Sequence, residues 1–203
     1  HWHDNPLFRV GFPDRLLTAL DILGRAVVHA LLPNALAPDY TFDAWPVRAA
    51  LSAAGLAGLG WLLCGLAACL VALRQLVHNR RRPELAQPLW ALPLFAAVAW
   101  YLPVSNLVVK STVLFADRLL FAPVAALCAV LAVSLARVSL SEHRAQRASA
   151  RAGAGAMAVW AMAAAQYAPA WRDNLALYTH GVAVQPRSFR MQANLSHEIV
   201  VQR

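Results

Sequence analysis

Asp117 and Arg118 stand side by side at the mouth of an apolar run, within "YLPVSNLVVKSTVLFADRLLFAP" (101–123). Ser105, Asn106 and Lys110 share that stretch. A guanidinium offers paired donors and a permanent charge, and an ammonium offers a mobile one. Such groups could face a charged partner; an ordinary loop between helices is the plainer alternative. Two other sets carry potential chemistry. His1, His3 and Asp4 are metal-ligating types, but two histidines two apart make too small a donor set, and no metal is expected. Asp21, Arg25 and His29 recur at i, i+4 and i+8, which places them in one stripe of a helix.

The elements that would position these residues are apolar. Hydrophobic residues make up 60% of the 203 and charged residues 14%, with a mean hydropathy of +0.49. Soluble domains run at about 45–50% apolar and about 25% charged. The apolar residues fall in blocks: 49–73 without a charge, 89–109 with Pro93 and Pro103, 119–136, and the Ala- and Gly-rich 152–170. Each is long enough to cross a hydrocarbon layer of about 30 Å, or nearly so. The expected fold is therefore all-α, a polytopic membrane bundle of about four spans. Cys64, Cys69 and Cys128 all fall inside those blocks as small hydrophobes, with no spacing for a disulfide framework or a zinc site.

Charge placement gives an independent orientation. The connector 74–88 holds Arg74, Arg80, Arg81 and Arg82 against Glu84, and 137–151 holds Arg137, Arg144, Arg147 and Arg151 against Glu142. The positive-inside rule assigns both to the cytoplasm. Residues 34–48, 102–118 and the tail from Trp171 then fall outside, with Trp45, Trp100, Tyr101 and Trp171 near outer ends of spans and Trp90 near an inner one. The net charge of +8 is explained by this topology; nothing interleaves aromatic and basic residues as a nucleic-acid surface would.

Residues 1–48 read as an external region with one helix over 16–32, ended by Pro33. Its Asp21/Arg25/His29 stripe suits an interfacial helix with the stripe towards water. The alternative is a re-entrant or fifth spanning helix with Asp21 and Arg25 paired inside the bundle. In the tail, 171–203, Leu175, Tyr178, Val182 and Val184 fit one amphipathic helix, Pro186 breaks it, and Phe189 to Val201 fit a second. The pair is similar to a junction of tetratricopeptide repeats, with Leu195 and Ile199 near packing positions; a plain helical hairpin is the alternative.

Several stretches together resemble the family of transmembrane and tetratricopeptide-repeat (TMTC) proteins. In order they are "DNP", "DRLLTAL", "LLPNALAPDY", "LPVSNL", "FADRLLFAP" and the tail. The sharpest pair is Leu102-Pro103-x-Ser105-Asn106-Leu107 with Ala116-Asp117-Arg118-x-Leu120-Phe121-x-Pro123. That family reads roughly "LPxSNL" and "AERxLYxP", so Asp117 stands where Glu is usual and Phe121 where Tyr is usual. Val124-Ala125-Ala126 follows where the family tends to carry Gly.

The resemblance implies a GT-C-type glycosyltransferase. Such an enzyme moves a sugar, mannose in animal members, from a polyprenyl-phosphate donor to Ser or Thr of an acceptor protein on the external face. The catalytic acid of such enzymes lies in a first external loop upstream of this sequence, so the chain is expected to be the later part of the membrane domain, and no catalytic residue is assigned. Under that implication Arg118, and secondarily Lys110, are candidates for the lipid phosphate, where fixed donors would stabilise leaving-group charge. The competing role of Arg118 is an interfacial anchor beside Asp117. Ser105 and Asn106 suit loop-pinning backbone bonds as well as substrate contact; Asp4, Asn5 and Arg15 share the outer face and could line the same cleft. The expected partners are membrane lipid, lipid-linked sugar and an acceptor or partner protein at the tail, with no nucleic acid. The Ala- and Arg-rich composition suggests a bacterial inner membrane. The alternative function is a non-catalytic membrane anchor presenting tetratricopeptide repeats as a binding scaffold.

Overall fold

The computed structural model describes residues 5–33, 35–42, 44–79, 91–139 and 143–202. The fold is all-α: seven helices and a few single 3₁₀ turns, with no strand among the described residues. α1 (Phe12–Leu31) begins at Gly11 with Pro13 and Asp14 in its first turn, where a missing N–H and an acid both suit the helix start. It ends one residue before Leu32, whose N–H closes on Val28 O, and Pro33 prevents continuation.

α2 (Ala53–Asn79) contains Ala53–Gln75. Among the described residues that is the one helix long and apolar enough to cross a membrane, by length and composition. α1 packs closely on α2 because both carry glycine at the crossing. A Cβ on Gly24 would lie 1.9 Å from Ala54 O, and one on Gly58 would lie 2.0 Å from Leu20 O. This approach decides the direction of the charged stripe on α1. Asp21 is buried, paired with Arg25 at 2.6 Å and Arg48 at 3.3 Å, and it accepts from Ser52 Oγ. The stripe's acid therefore faces the start of α2. The expectation that it faces water is corrected.

α3 (Ala91–Tyr101) ends eight residues before the apolar run 89–109 does. A 3₁₀ turn with Pro103 ends it at Leu102–Val104, and the chain leaves helical geometry at Asn106, whose φ of 60° lies in the left-handed region. Residues 105–116 form an irregular loop. A second 3₁₀ turn, Asp117–Leu120, runs directly into α4 (Phe121–Ser139). α5 (His143–Tyr167) starts well before residue 152, so 143–151 is helix and not a loop; Ala, Arg and Gln are all good helix formers. α3 packs on α4 and α4 on α5. The indole of Trp160 in α5 donates to Leu31 O at the end of α1 (3.3 Å).

In the tail, Asp173 caps α6 (Asn174–Val184) by accepting from Ala176 N (2.7 Å), and the chain turns through Pro186 into α7 (Phe189–Val201), which packs on α6.

The loops at one end of the helices form a buried cap. Residues 5–10, 35–42, 44–48 and 105–118 meet around Leu7, Tyr40, Trp45, Leu114 and Phe115, with Ile22 and Ala26 of α1 beneath them. Tyr40 N donates to Phe115 O (2.9 Å), the sole bridge between two extended segments among the described residues. The Trp45 ring stacks on Phe115 with centroids 4.9 Å apart, and Tyr40 lies 4.7 Å from Trp45.

Candidate functional site

Three polar knots hold the cap together, and Asn5, Ser105, Asn106, Asp117 and Arg118 lie in them, with Lys110 at the edge of one. The first joins the N-terminal segment to the 105–111 loop. Asn5, fully buried, donates from Nδ2 to Asn106 Oδ1 (2.8 Å) and to Ser111 O (2.7 Å), while its own Oδ1 accepts from Leu7 N (2.9 Å). Asn106 Oδ1 also takes Ser111 N (2.9 Å), and its Nδ2 reaches Leu114 O (3.1 Å). Ser105 Oγ donates to Leu102 O (2.7 Å) and accepts from Leu107 N (3.2 Å). Every one of these bonds goes to the protein's own backbone or to another cap residue. Lys110 lies at the edge of this knot, with Nζ 3.4 Å from Phe8 O and 5.7 Å from the Phe8 ring centre.

The second knot surrounds Asp117. Its Oδ2 accepts from Ala37 N (2.9 Å) and from Tyr40 Oη (3.2 Å); its Oδ1 is buried without a hydrogen bond. Burial pushes its pKa from 3.8 up to about 6, against the lowering effect of those two donors. Burial and the neighbouring Asp117 charge raise the Tyr40 hydroxyl as well, so Tyr40 is held as a donor.

The third knot centres on Asp39, whose side chain is 2% exposed. Arg190 of α7 reaches its Oδ2 at 2.8 Å and Arg118 reaches the same oxygen at 3.5 Å. Arg118 Nη1 also donates to Pro38 O (2.9 Å). Burial raises the pKa of Asp39 although both guanidiniums pull it down. Around this knot α7 is docked by Phe189 N to Phe42 O (2.6 Å), Ser188 Oγ with Thr41 Oγ1 (2.9 Å) and Arg190 N to Thr41 Oγ1 (3.1 Å).

Asp117 and Arg118 are thus not partners of one another. Adjacent residues in a 3₁₀ turn point apart, so the acid turns inward to Ala37 and Tyr40 while the base turns to Pro38 and Asp39. Arg118 keeps its side chain 53% exposed, which leaves N–H donors open to another acceptor. Arg15 stands apart from the knots in the first turn of α1, its guanidinium 5.2 Å from the Phe12 ring centre. Asp4, with His1 and His3, lies outside the described residues. Among the described residues no three of His, Cys, Asp and Glu come together as a metal set.

Beneath the cap an apolar cavity of about 370 Å³ runs between α1, α2, α3 and α4, lined by residues such as Leu23, Trp61, Leu94, Leu107, Leu120 and Pro123. Leu120 closes the turn that begins with Asp117 and Arg118, so the exposed guanidinium and the cavity wall belong to one short segment.

Asp39, Tyr40 and Arg190 were not singled out from the sequence. A usable signal for the first two was present: an acid next to an aromatic in the Pro-rich "LAPDY", amid apolar neighbours. Arg190 is 151 positions from Asp39 and nothing local marks it. Comparison with protein-family models, with curated proteins and with solved structures finds no match to this chain.

Proposed function

We propose that the chain is part of a polytopic membrane glycosyltransferase of the TMTC-like, GT-C type. It would move a sugar, mannose for example, from a polyprenyl-phosphate donor to protein Ser or Thr at the outer face. In this proposal α2 to α5 carry the four spans, the cap and the tail lie outside, and the Arg-rich connectors 74–88 and 137–151 face the cytoplasm of a bacterial inner membrane. The tail helices begin a tetratricopeptide-like array. The observation that carries it is the pairing of an apolar cavity with the exposed Arg118 on one segment. A prenyl chain needs the first and an anionic phosphate the second. Asp39 and Pro38 O hold Arg118 from one side, so its charge would be fixed in place before a leaving phosphate develops charge.

The test is sugar transfer from a polyprenyl-phosphate sugar by the full-length protein, wild type against Arg118→Ala and Arg118→Lys. Loss of one preorganised donor to a developing anion costs about 10²–10³ in kcat; Arg118→Ala is expected in that range, with Arg118→Lys partly restored. Wild-type turnover in Arg118→Ala would sink the phosphate role.

A second reading, a membrane anchor presenting a helical scaffold, is favoured by the docking of α7 on the cap through Asp39 and Thr41. A folded wild-type protein that transfers no sugar from any polyprenyl-phosphate donor selects it.

A further inference from the structure

The outer edge of the first knot is apolar and faces outward. Phe12 is 61% exposed, Val108 61%, Val109 58% and Phe8 42%, while Leu7 and Asn106 beside them are fully buried. The alternation is built. Asn5 ties residues 5–8 to the 106–111 loop through Asn106 Oδ1 and Ser111 O, and Lys110 Nζ meets Phe8 O. The two apolar tips are therefore held side by side on a satisfied polar base.

Cations border them. Lys110 lies over the Phe8 ring and Arg15 over the Phe12 ring, so each charge rides on one of the apolar groups. In residues 5–15 and 105–112 the basic side chains are Arg9, Arg15 and Lys110, and the one acid is Asp14. Aromatic and branched apolar tips with basic companions match the chemistry of a bilayer interface that carries negative headgroups.

We propose that Phe8, Phe12, Val108 and Val109 form a wedge inserted in the outer leaflet beside the helices, with Lys110 and Arg15 against anionic phospholipid headgroups. The wedge rests on the reading of this chain as membrane-embedded with 102–118 outside. It sets the depth of the cap, and so of Arg118, relative to the headgroup plane. It also makes that depth depend on the anionic lipid content of the leaflet.

The test uses the full-length protein with native cysteines replaced and an environment-sensitive fluorophore on Val108→Cys, with Leu66→Cys in α2 as reference. Leu66 is an exposed residue of the long apolar helix. The proteins are reconstituted in phosphatidylcholine vesicles with and without phosphatidylglycerol, and probed with lipids spin-labelled near the headgroup and with aqueous iodide. Quenching of both sites by spin-labelled lipid, with a gain at 108 on adding phosphatidylglycerol, is the expected result. Lys110→Glu is expected to shift the immersed-to-lifted ratio at 108 by about fivefold or more towards water in the anionic vesicles. Lipid quenching at 66 but iodide quenching at 108 overturns the wedge and leaves the membrane reading standing. Shielding of 108 from both quenchers shows protein cover and also overturns it. Iodide quenching at both sites overturns the wedge together with the membrane reading. Equal quenching at 108 with and without phosphatidylglycerol removes the role of the cations.

Discussion

Asn106 shows how much one side chain can carry. It holds a left-handed φ and, fully buried, makes hydrogen bonds to Asn5 in the N-terminal segment and to Ser111 and Leu114 farther along its own loop. Asn106→Ala combines both losses: unpaired buried groups cost about 1–3 kcal/mol each, and an alanine in left-handed geometry about 1–2 kcal/mol more. Asn106→Gly loses only the hydrogen bonds. The expected order of thermal stability in detergent is therefore wild type, then Gly, then Ala; an Ala variant as stable as Gly would remove backbone geometry from this account. Asp117 makes a different prediction. Its folded pKa of about 6 lies above the ordinary 3.8. Between those values the folded protein binds a proton that the unfolded chain has released, so this group's contribution to stability falls as pH rises through about 4 to 6 and is flat above. Asp117→Asn can still accept from Ala37 N and Tyr40 Oη. It should flatten that slope and raise the melting temperature relative to wild type more at pH 7 than at pH 4. An unchanged difference across the two pH values would refute a proton on Asp117. The residue types in this loop were legible from the sequence. Their partners were not: adjacency suggested an Asp117–Arg118 pair, and backbone direction in a short turn separates them.

Between helices, the crossing of α1 and α2 is set by glycine. Gly24 and Gly58 leave no room for a Cβ, whereas a Cβ on Gly60 meets nothing within 4 Å. Gly24→Val must push the helices apart and disturb Asp21 with Ser52 and Arg48; overpacking of this kind costs about 1–3 kcal/mol, and here the obstacle is backbone. Gly60→Ala should be neutral or stabilising by roughly 0.5–1 kcal/mol, as for any open mid-helix glycine. Differential scanning of the two variants in the same detergent checks the contrast, and equal effects would show that the crossing tolerates separation. At this scale the sequence was informative about breaks. Pro33, Pro103 and Pro186 each stand within two residues of a helix end or in the turn that follows one. Which way the Asp21 stripe faces was not legible, because its direction depends on small residues in another helix 30 or more positions away.

For the whole molecule the question is orientation. If the charge asymmetry of the connectors sets topology, the tail lies on the same side as the cap, as its docking through Arg190, Ser188 and Phe189 requires. Ser196, exposed on α7, is the position to test. A Ser196→Cys protein in intact cells should react with a membrane-impermeant maleimide from outside. Protection until the cells are opened would reverse the orientation. The all-helical class followed from composition and block length. The joining of tail and cap did not, because it depends on contacts between residues about 150 positions apart.

The docking of α7 bears on where the gene can be cut. A division after residue 170, drawn where the apolar blocks end, would separate Asp39 from Arg190, Thr41 from Ser188, and Phe42 O from its donor. What remained would keep a buried carboxylate with Arg118 as its one cation, at a site that held two. The first turn of α7 therefore belongs to the folding unit of the helices, and a shortened gene should run past it to yield an intact cap.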